Sequence, residues 1–113
     1  MTLRELYRYS NLPIYLTEHG CSANDEAFRE RDLKDNLAAM HRAIASGVDV
    51  RGFYYWSLLD NFEWQFGYSK KFGLVEVDFN DERLPRKMKP LGRIYRKVCL
   101  ENSISMDRAG ERT

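Results

Sequence analysis

Two short apolar segments with one helical pattern between them constrain the fold of this chain more than any other feature. The first is PIYLTEHG, residues 13–20, in which we expect a strand at about 13–17. The second is VDVRGFYYW, residues 48–56, which is continuously apolar at its far end, as is typical of a parallel strand buried on both faces. Two such strands around one helix predict a βα unit of a parallel sheet, and therefore an α/β fold.

The segment between these strands has the apolar period of an amphipathic helix. Its apolar side chains recur on one helical face: Leu33, Leu37, Met40 and Ile44. Asn24 or Asp25 can cap the start of this helix. We expect the helix to run to about Ser46, and Gly47 suits its end.

The remaining segments flank this unit. TLRELYRYS, residues 2–10, has helical spacing, but nothing before its apolar residues is identified as a cap. A long loop rich in aromatic residues follows the second strand at 57–72, and GLVEVDF, residues 73–79, alternates as a short strand does. Pro90 then begins a last helix. The buried stripe of that helix is predicted to be Leu91, Ile94, Tyr95 and Val98.

The chain is expected to hold one folded unit and a tail. Its 113 residues suffice for a small domain with a core of ordinary size. We expect the folded portion to span residues 1–102 and residues 103–113 to form a polar, disordered tail.

Charge and composition exclude several classes of partner. Its 18 basic and 17 acidic residues give a net charge of +1, which offers no electrostatic reason to expect nucleic acid or an anionic membrane as a partner. The basic run RKMKPLGRIYRK, residues 86–97, is interpreted as a solvated helix face. No apolar run approaches the ~20 residues of a membrane span, and no signal peptide opens the chain, so a cytoplasmic protein is expected.

Cysteine and histidine positions give no indication of a metal site. Cys21 and Cys99 lie far apart and are expected to be reduced thiols, although they could be bridged in an exported protein. His19 and His41 do not form a ligand motif with them. We therefore expect neither a metal nor a cofactor.

Carboxylates follow both strands, at the edge of the sheet where parallel α/β folds bind ligands. Glu18 ends the first strand, and Glu63 lies seven residues past Trp56, which ends the second. Aromatic residues accompany them in the sequence: Trp56, Phe62, Trp64, Phe66, Tyr68 and Phe72. Aromatic faces stack on the apolar face of a sugar ring while carboxylates and indole N–H groups bind its hydroxyls, and a carboxylate can attack an anomeric carbon. The composition alone equally allows Glu18 to pair with an arginine or cap a helix, and the aromatic residues simply to pack the loop.

Two longer stretches resemble a known family. LPIYLTEHG, residues 12–20, and GVDVRGFYYWSLLDNFEWQFGYSKKFGLVEVDF, residues 47–79, are similar to the C-terminal part of family-1 glycoside hydrolases, the β-glucosidase and β-galactosidase group. The resemblance covers residues 3–102. It implies a (β/α)8 TIM barrel that retains anomeric configuration, of which this chain would supply strands seven and eight and would be incomplete on its own.

Carried over by position, the resemblance implies roles for five side chains. Glu18 would be the catalytic nucleophile, and Trp56 would form the floor of the glycone subsite. Glu63 would bind two hydroxyls of the glycone, and the Trp64 indole N–H would donate to another. Phe72 would close the side near the sugar's 6-position. The implied substrate is a small carbohydrate, namely a β-glucoside, β-galactoside or β-fucoside.

The same block indicates a non-phosphorylated sugar. Relatives that act on 6-phosphorylated sugars carry a small residue at the position of Glu63 and a tyrosine at that of Phe72, and a carboxylate at Glu63 would repel a phosphate. Asn61 is expected to hold the loop rather than to contact sugar.

Three residues depart from the family pattern. His19 stands where asparagine is usual after the nucleophile, and Asp32 and Asn36 stand where tyrosine and histidine are common on the following helix. We expect these changes to alter packing without removing the nucleophile. His19 is expected to bond nearby backbone, with proton transfer as the less favoured alternative.

The general acid/base of the family is not found in this sequence. A retaining glycosidase needs a second carboxyl group about 5–5.5 Å from the nucleophile, and the resemblance places it in a Thr-x-Asn-Glu-Pro motif that these residues lack. Glu63 is not expected to replace it, because its family role is sugar binding. We therefore expect the missing N-terminal part of the barrel as a partner.

Three functional hypotheses follow. The first is an O-glycosyl hydrolase of the β-glucosidase type as the parent protein, acting in carbohydrate metabolism, with an isolated chain that is inactive and poorly folded or self-associating. The second is a non-catalytic sugar-binding or pseudoenzyme remnant. The third, least favoured, is a small doubly wound α/β domain of unrelated function.

Overall fold

The computed structural model describes residues 1–105. Its elements follow in this order along the chain: α1 (Leu3–Ser10), β1 (Ile14–His19), α2 (Glu26–Ala45), β2 (Val50–Tyr55), a 3-10 turn (Trp64–Phe66), β3 (Val75–Val77), β4 (Arg86–Met88) and α3 (Pro90–Glu101). No helix in this described range is long and apolar enough to cross a membrane. Residues 106–113, which make up most of the expected tail, lie outside it.

The two strands predicted from the apolar segments pair in parallel, with α2 as their connection. Ile14 is aligned with Val50, and His19 with Tyr55. This arrangement confirms the predicted βα unit and the α/β class. Both strands extend to where the following loops begin, so the carboxyl ends of β1 and β2 lie at the same edge of the sheet.

The pairing contains an irregularity near the end of β1. Between Leu16 and His19, β1 advances three residues while β2 advances only two, from Phe53 to Tyr55. One extra residue on one strand is a β-bulge, which changes the side of the sheet to which the following side chains point. It lies where Glu18 is placed.

Helix α2 begins at one of the two predicted caps. The Asp25 side chain accepts hydrogen bonds from the backbone N–H groups of Ala27 and Phe28, at 2.9 and 3.2 Å. The helix ends at Ala45, and Gly47 follows with φ +94°, a left-handed conformation that favours glycine.

Helix α1 has a cap, so the expectation of an uncapped start is wrong. Thr2 Oγ1 accepts from the Glu5 N–H at 3.2 Å, and Glu5 Oε2 accepts from the Thr2 N–H at 2.7 Å. This reciprocal pair is a capping box. Its Thr-x-x-Glu signature, Thr2 to Glu5, is present in the sequence.

The basic run at 86–97 is not one helix face, which corrects the prediction. Its first residues form β4, which pairs antiparallel with β3, and the strand predicted at 73–79 is regular only at Val75–Val77. The helix begins at Pro90 because proline suits the first turn of a helix but has no N–H for a strand ladder. The Lys89 N–H bonds the Leu74 carbonyl at 2.9 Å, which joins α3 to the start of β3.

The core lies where the helices pack against the sheets. One buried cluster consists of Leu33, Leu37, Leu74 and Leu91, and a smaller one of Ile14, Ala43 and Val48. Ile94, Tyr95 and Val98 pack against the larger cluster, as the predicted stripe of α3 requires. Ile104, from the predicted tail, packs there as well. Ile44 is 43% exposed, and Ala43 is buried in its place, so the predicted apolar face of α2 turns away before its end.

Candidate functional site

The ends of β1 and β2 bring Glu18 and Trp56 to the same edge of the sheet. Glu18 is the second-last residue of β1, and Trp56 directly follows β2. The Trp56 N–H donates to the His19 carbonyl at 2.8 Å, so the strands remain hydrogen-bonded beyond β2. Gly20 lies so close to the Trp56 carbonyl that a Cβ would overlap it. The glycine that follows the carboxylate therefore permits the contact between the two strand ends.

The Glu18 side chain is exposed, whereas the next side chain faces the helix layer. The His19 ring packs against Phe53 at 5.3 Å and Tyr55 at 6.2 Å between ring centroids, and both of these partners contact the larger core cluster. Within residues 1–105 Glu18 pairs with no arginine, and Asp25 caps α2. The structure thus gives the Glu18 carboxylate neither of the two structural roles that the composition allowed.

The loop at 57–72 presents Glu63 and Trp64 beside a single 3-10 turn. The Glu63 N–H donates to the Gly67 carbonyl at 2.7 Å, and the Phe66 N–H donates to the Glu63 carbonyl at 2.8 Å. Trp64 has φ +44° and a side chain that is 79% exposed. A large aromatic residue held in the left-handed region and in solvent contributes little to packing, so its ring is free to contact a ligand.

Phe72 lies where this loop returns to the end of β2. Its carbonyl accepts from the Ser57 N–H at 3.3 Å, and the Leu74 N–H donates to the Ser57 carbonyl at 2.9 Å. Ser57 follows Trp56 through a cis peptide bond. Phe72 is therefore attached to the strand end that carries Trp56, while Glu63 and Trp64 lie at the far turn of the same loop.

Two consecutive polar side chains, Asp60 and Asn61, stabilise the loop through hydrogen bonds. The Asn61 amide donates to Ser57 Oγ and to the Leu59 carbonyl, both at 3.1 Å, which confirms that Asn61 holds the loop. Asp60 is buried, and its Oδ1 accepts from the Gly73 N–H at 2.9 Å and from Lys89 Nζ at 3.0 Å. The role of Asp60 was missed, because its partners lie 13 and 29 residues away along the chain.

A second missed residue is Arg29, whose side chain is fully buried behind the loop. Its Nη1 donates to Glu26 Oε1 at 2.8 Å, and its Nη2 faces the Phe72 carbonyl at 2.7 Å. Burial lowers the pKa of this guanidinium, but hydrogen bonds to Tyr55 and Glu26 outweigh it, so the net pKa is raised. A charged arginine on α2 gave no signal of this role in the sequence, since most such residues are solvated.

The three departures from the family pattern lie together beneath the end of β1. His19 Nε2 is 3.3 Å from Asp32 Oδ2, without the alignment of a hydrogen bond, and the Asn36 amide donates to Asp32 Oδ1 at 3.1 Å. Among residues 1–105 no hydrogen bond joins the His19 ring to backbone, so the prediction of such a bond is wrong. Burial, and then the nearby Asp32 carboxylate, raise the pKa of the Cys21 thiol. These groups line the helix side of the sheet and not the side of Glu18.

Aromatic side chains of the two strands and of the following loop are widely exposed. They belong to β1, β2 and the loop: Tyr15, Tyr54, Trp56, Phe62, Trp64, Phe66 and Tyr68. Among the described residues, no group of three histidine, cysteine or acidic side chains could hold a metal ion. Exposed rings and the exposed Glu18 carboxylate suit a ligand with an apolar face and several hydroxyls.

Comparison with known proteins gives this arrangement its family. A sequence profile described as Glycosyl hydrolase family 1 matches residues 1–104. The chain belongs to glycosyl hydrolase family 1. It is 42% identical over 103 residues to β-glucosidase A of Acetivibrio thermocellus, with 83% of this chain and 22% of the relative covered. It is 38% identical over 103 residues to the β-galactosidase of Saccharolobus solfataricus, with 91% and 21% covered.

Solved structures of family 1 share the fold of this chain. The family 1 β-glucosidase from Thermotoga maritima superposes with a TM-score of 0.85 at 34% identity, covering 92% of this chain and 25% of that one. The β-glycosidase from Pyrococcus horikoshii gives a TM-score of 0.84 at 36% identity, covering 92% and 24%. These neighbours are TIM-barrel enzymes. The chain spans about a fifth to a quarter of the length of these relatives.

Proposed function

We propose that this chain is the C-terminal part of a retaining β-glycosidase of the β-glucosidase type, in which β1 and β2 are strands seven and eight of a (β/α)8 barrel. The observation that carries the proposal is the contact between the two strand ends. It supports the proposal because His19, whose carbonyl accepts from the Trp56 N–H, directly follows the exposed Glu18. Barrel enzymes hold their catalytic residues at this edge of the sheet, and the family profile matches residues 1–104 of the chain.

In the proposed reaction the Glu18 carboxylate is the nucleophile. One of its oxygens forms a bond to the anomeric carbon while the bond from that carbon to the aglycone oxygen breaks, which gives a covalent glycosyl-enzyme. Water then attacks the same carbon and releases Glu18, so the configuration is inverted twice and retained. The proton for the aglycone comes from an acid/base carboxyl group that a polypeptide outside these residues must supply, and the resulting carboxylate takes the proton of the attacking water.

The proposed substrate is a non-phosphorylated β-glycoside. Trp56 would stack on the glycone, Glu63 would accept hydrogen bonds from two of its hydroxyls, Trp64 would donate to another, and Phe72 would close the 6-position. Supporting this class, relatives include a bifunctional β-D-glucosidase/β-D-fucosidase of Bifidobacterium breve, besides the β-glucosidase and β-galactosidase named above. Structures of the Thermotoga maritima enzyme with castanospermine and with deoxynojirimycin are also among the neighbours.

The test is covalent labelling in a completed barrel. The chain is co-expressed with a family-1 β-glucosidase from which the matching C-terminal quarter has been deleted, and the complex is treated with 2,4-dinitrophenyl 2-deoxy-2-fluoro-β-glucoside. We expect an adduct on Glu18, found by peptide mass spectrometry, because this reagent needs a nucleophile but little help from an acid. Without the complement, the chain is expected to hydrolyse no aryl β-glucoside.

Two variants make the result specific. Glu18→Gln should abolish the adduct, and Glu82→Gln, at an exposed turn, should leave it unchanged. A complex that co-purifies and binds deoxynojirimycin but carries no adduct at Glu18 would contradict the assignment of the nucleophile and favour a non-catalytic, sugar-binding remnant.

A further inference from the structure

We infer that Arg29 is a positioning residue of the proposed sugar site. It fixes the backbone at Phe72 and Gly73, and thereby the spacing between Trp56 and Phe72 that receives the 6-position of the glycone. The inference about the glycone rests on the proposed function, whereas the inference about the backbone does not.

The contacts of Arg29 converge on the return of the loop. The side chain is 0% exposed, and its Nη2 lies 2.7 Å from the Phe72 carbonyl, 3.1 Å from the Gly73 carbonyl and 3.2 Å from the Tyr55 hydroxyl. Buried carbonyls need hydrogen-bond donors, and here one guanidinium serves two of them. The end of the loop is therefore held by a side chain of α2.

The contacts of Arg29 also reach the residues on both sides of Trp56, the proposed floor of the glycone subsite. Tyr55 directly precedes Trp56, and Ser57, which follows it, donates to the Phe72 carbonyl that Arg29 also bonds. A shift of the guanidinium would therefore move Phe72 relative to Trp56. The Arg29 side chain reaches Phe72 only at its backbone carbonyl, and it reaches Trp56 only through the neighbouring Tyr55. Its action on the two rings is therefore indirect.

The geometry requires arginine and not merely a positive charge. Nη1 points to Glu26 at 2.8 Å while Nη2 points to the loop carbonyls. The planar fork supplies both directions at once, and the single nitrogen of a lysine cannot. Arg29→Lys therefore keeps the charge beside Glu26 but loosens the loop, which separates geometry from charge.

The first experiment measures backbone amide exchange of this chain within the completed barrel, that is, in its complex with the truncated β-glucosidase. In Arg29→Lys we expect exchange across residues 57–73 to become about tenfold faster, with the amides of β1 and β2 unchanged. Arg83→Lys, at an exposed turn where the side chain bonds Asp81, is the matched control and should match the wild type. Unchanged exchange at 57–73, or a uniform rise along the whole chain, would overturn the inference.

The second experiment measures discrimination at the 6-position. The completed barrel is labelled with the 2-fluoro glucoside and with the corresponding xyloside, which lacks the 6-hydroxymethyl group. The measured quantity is the ratio of the two second-order labelling constants, glucoside over xyloside. We expect Arg29→Lys to lower this ratio about fivefold or more, because it displaces Phe72, and Arg83→Lys to leave it unchanged. An equal loss with both reagents would show a role in stability only, and contradict positioning.

The two experiments separate the two proposals. If the wild-type complex is labelled by neither reagent, the proposed function fails, and the exchange result alone decides whether Arg29 holds the Phe72 backbone. If labelling occurs at Glu18 and the ratio does not respond, the function stands and the role of Arg29 in substrate choice is refuted.

Discussion

Gly20 determines how closely the two functional strand ends approach each other. A Cβ there would overlap the Trp56 carbonyl, and a backbone carbonyl cannot turn aside as a flexible side chain can. We expect Gly20→Ala to lower the free energy of unfolding by about 1–3 kcal/mol, as overpacking does, and to shift the emission of the tryptophans, of which the chain has only Trp56 and Trp64. Chemical denaturation followed by fluorescence measures both.

Gly47→Ala is the control for this substitution. A Cβ at Gly47 meets nothing within 4 Å, so its cost is limited to the left-handed φ of +94°, about 1–2 kcal/mol. It should destabilise the chain without altering native emission. Equal emission spectra for the two variants would show that the contact at Gly20 does not determine the position of Trp56.

Cys21 offers a residue-scale test of the cluster beneath β1. Because burial and the Asp32 carboxylate raise its pKa, less of the thiol is ionised near neutral pH, and alkylation is slowed. Asp32→Asn should speed its reaction with iodoacetamide by a few-fold at pH 8, whereas Asp35→Asn, exposed on the same helix, should not. Peptide mass spectrometry distinguishes Cys21 from the exposed Cys99. Equal rates in both variants would mean that Asp32 does not act on the thiol.

At the scale of elements, a buried ion pair connects the aromatic loop to α3. Asp60 Oδ1 lies 3.0 Å from Lys89 Nζ, with side chains 1% and 11% exposed. Removing one partner of a buried pair leaves the other charge uncompensated, so Asp60→Asn and Lys89→Met should each cost about 3–5 kcal/mol. The double variant should cost clearly less than their sum, which urea denaturation of all four proteins measures.

An exposed pair provides the comparison. Lys97 and Glu101 are 4.0 Å apart on the surface of α3, so Glu101→Gln should change stability by no more than about 0.5 kcal/mol. For the buried pair, a double variant whose loss of stability equals the sum of the losses in Asp60→Asn and Lys89→Met would show that the loop and α3 are stabilised independently.

At the scale of the whole molecule, many large apolar side chains of the described residues are exposed to solvent. The sheet formed by β1 and β2 has only two strands, and aromatic rings project from its edge into solvent. An unpaired strand edge and a large apolar patch both favour association. The 113-residue chain is therefore expected to self-associate at micromolar concentration, which sedimentation velocity over a dilution series measures.

One pair of substitutions locates the associating surface. Leu58, 66% exposed at the start of the aromatic loop, and Leu100, 69% exposed on α3, present similar areas to solvent. Leu58→Lys should shift the chain toward monomer, and Leu100→Lys should leave its sedimentation unchanged. A shift toward monomer with Leu100→Lys but not with Leu58→Lys would place the interface on the helix side. That result would contradict association through the end of the sheet that carries the aromatic loop.

The sequence by itself determined the βα unit, its parallel strands, a cap at Asn24 or Asp25 and the start of α3, because apolar period and capping chemistry act over a few neighbouring residues. The motif around Trp56 also indicated the family. The tertiary structure decided which polar groups meet: Arg29 with Phe72, Asp60 with Lys89, and His19 with Asp32. Those contacts join residues that are distant along the chain, and their formation depends on burial and on the bulge in β1, neither of which a local pattern specifies.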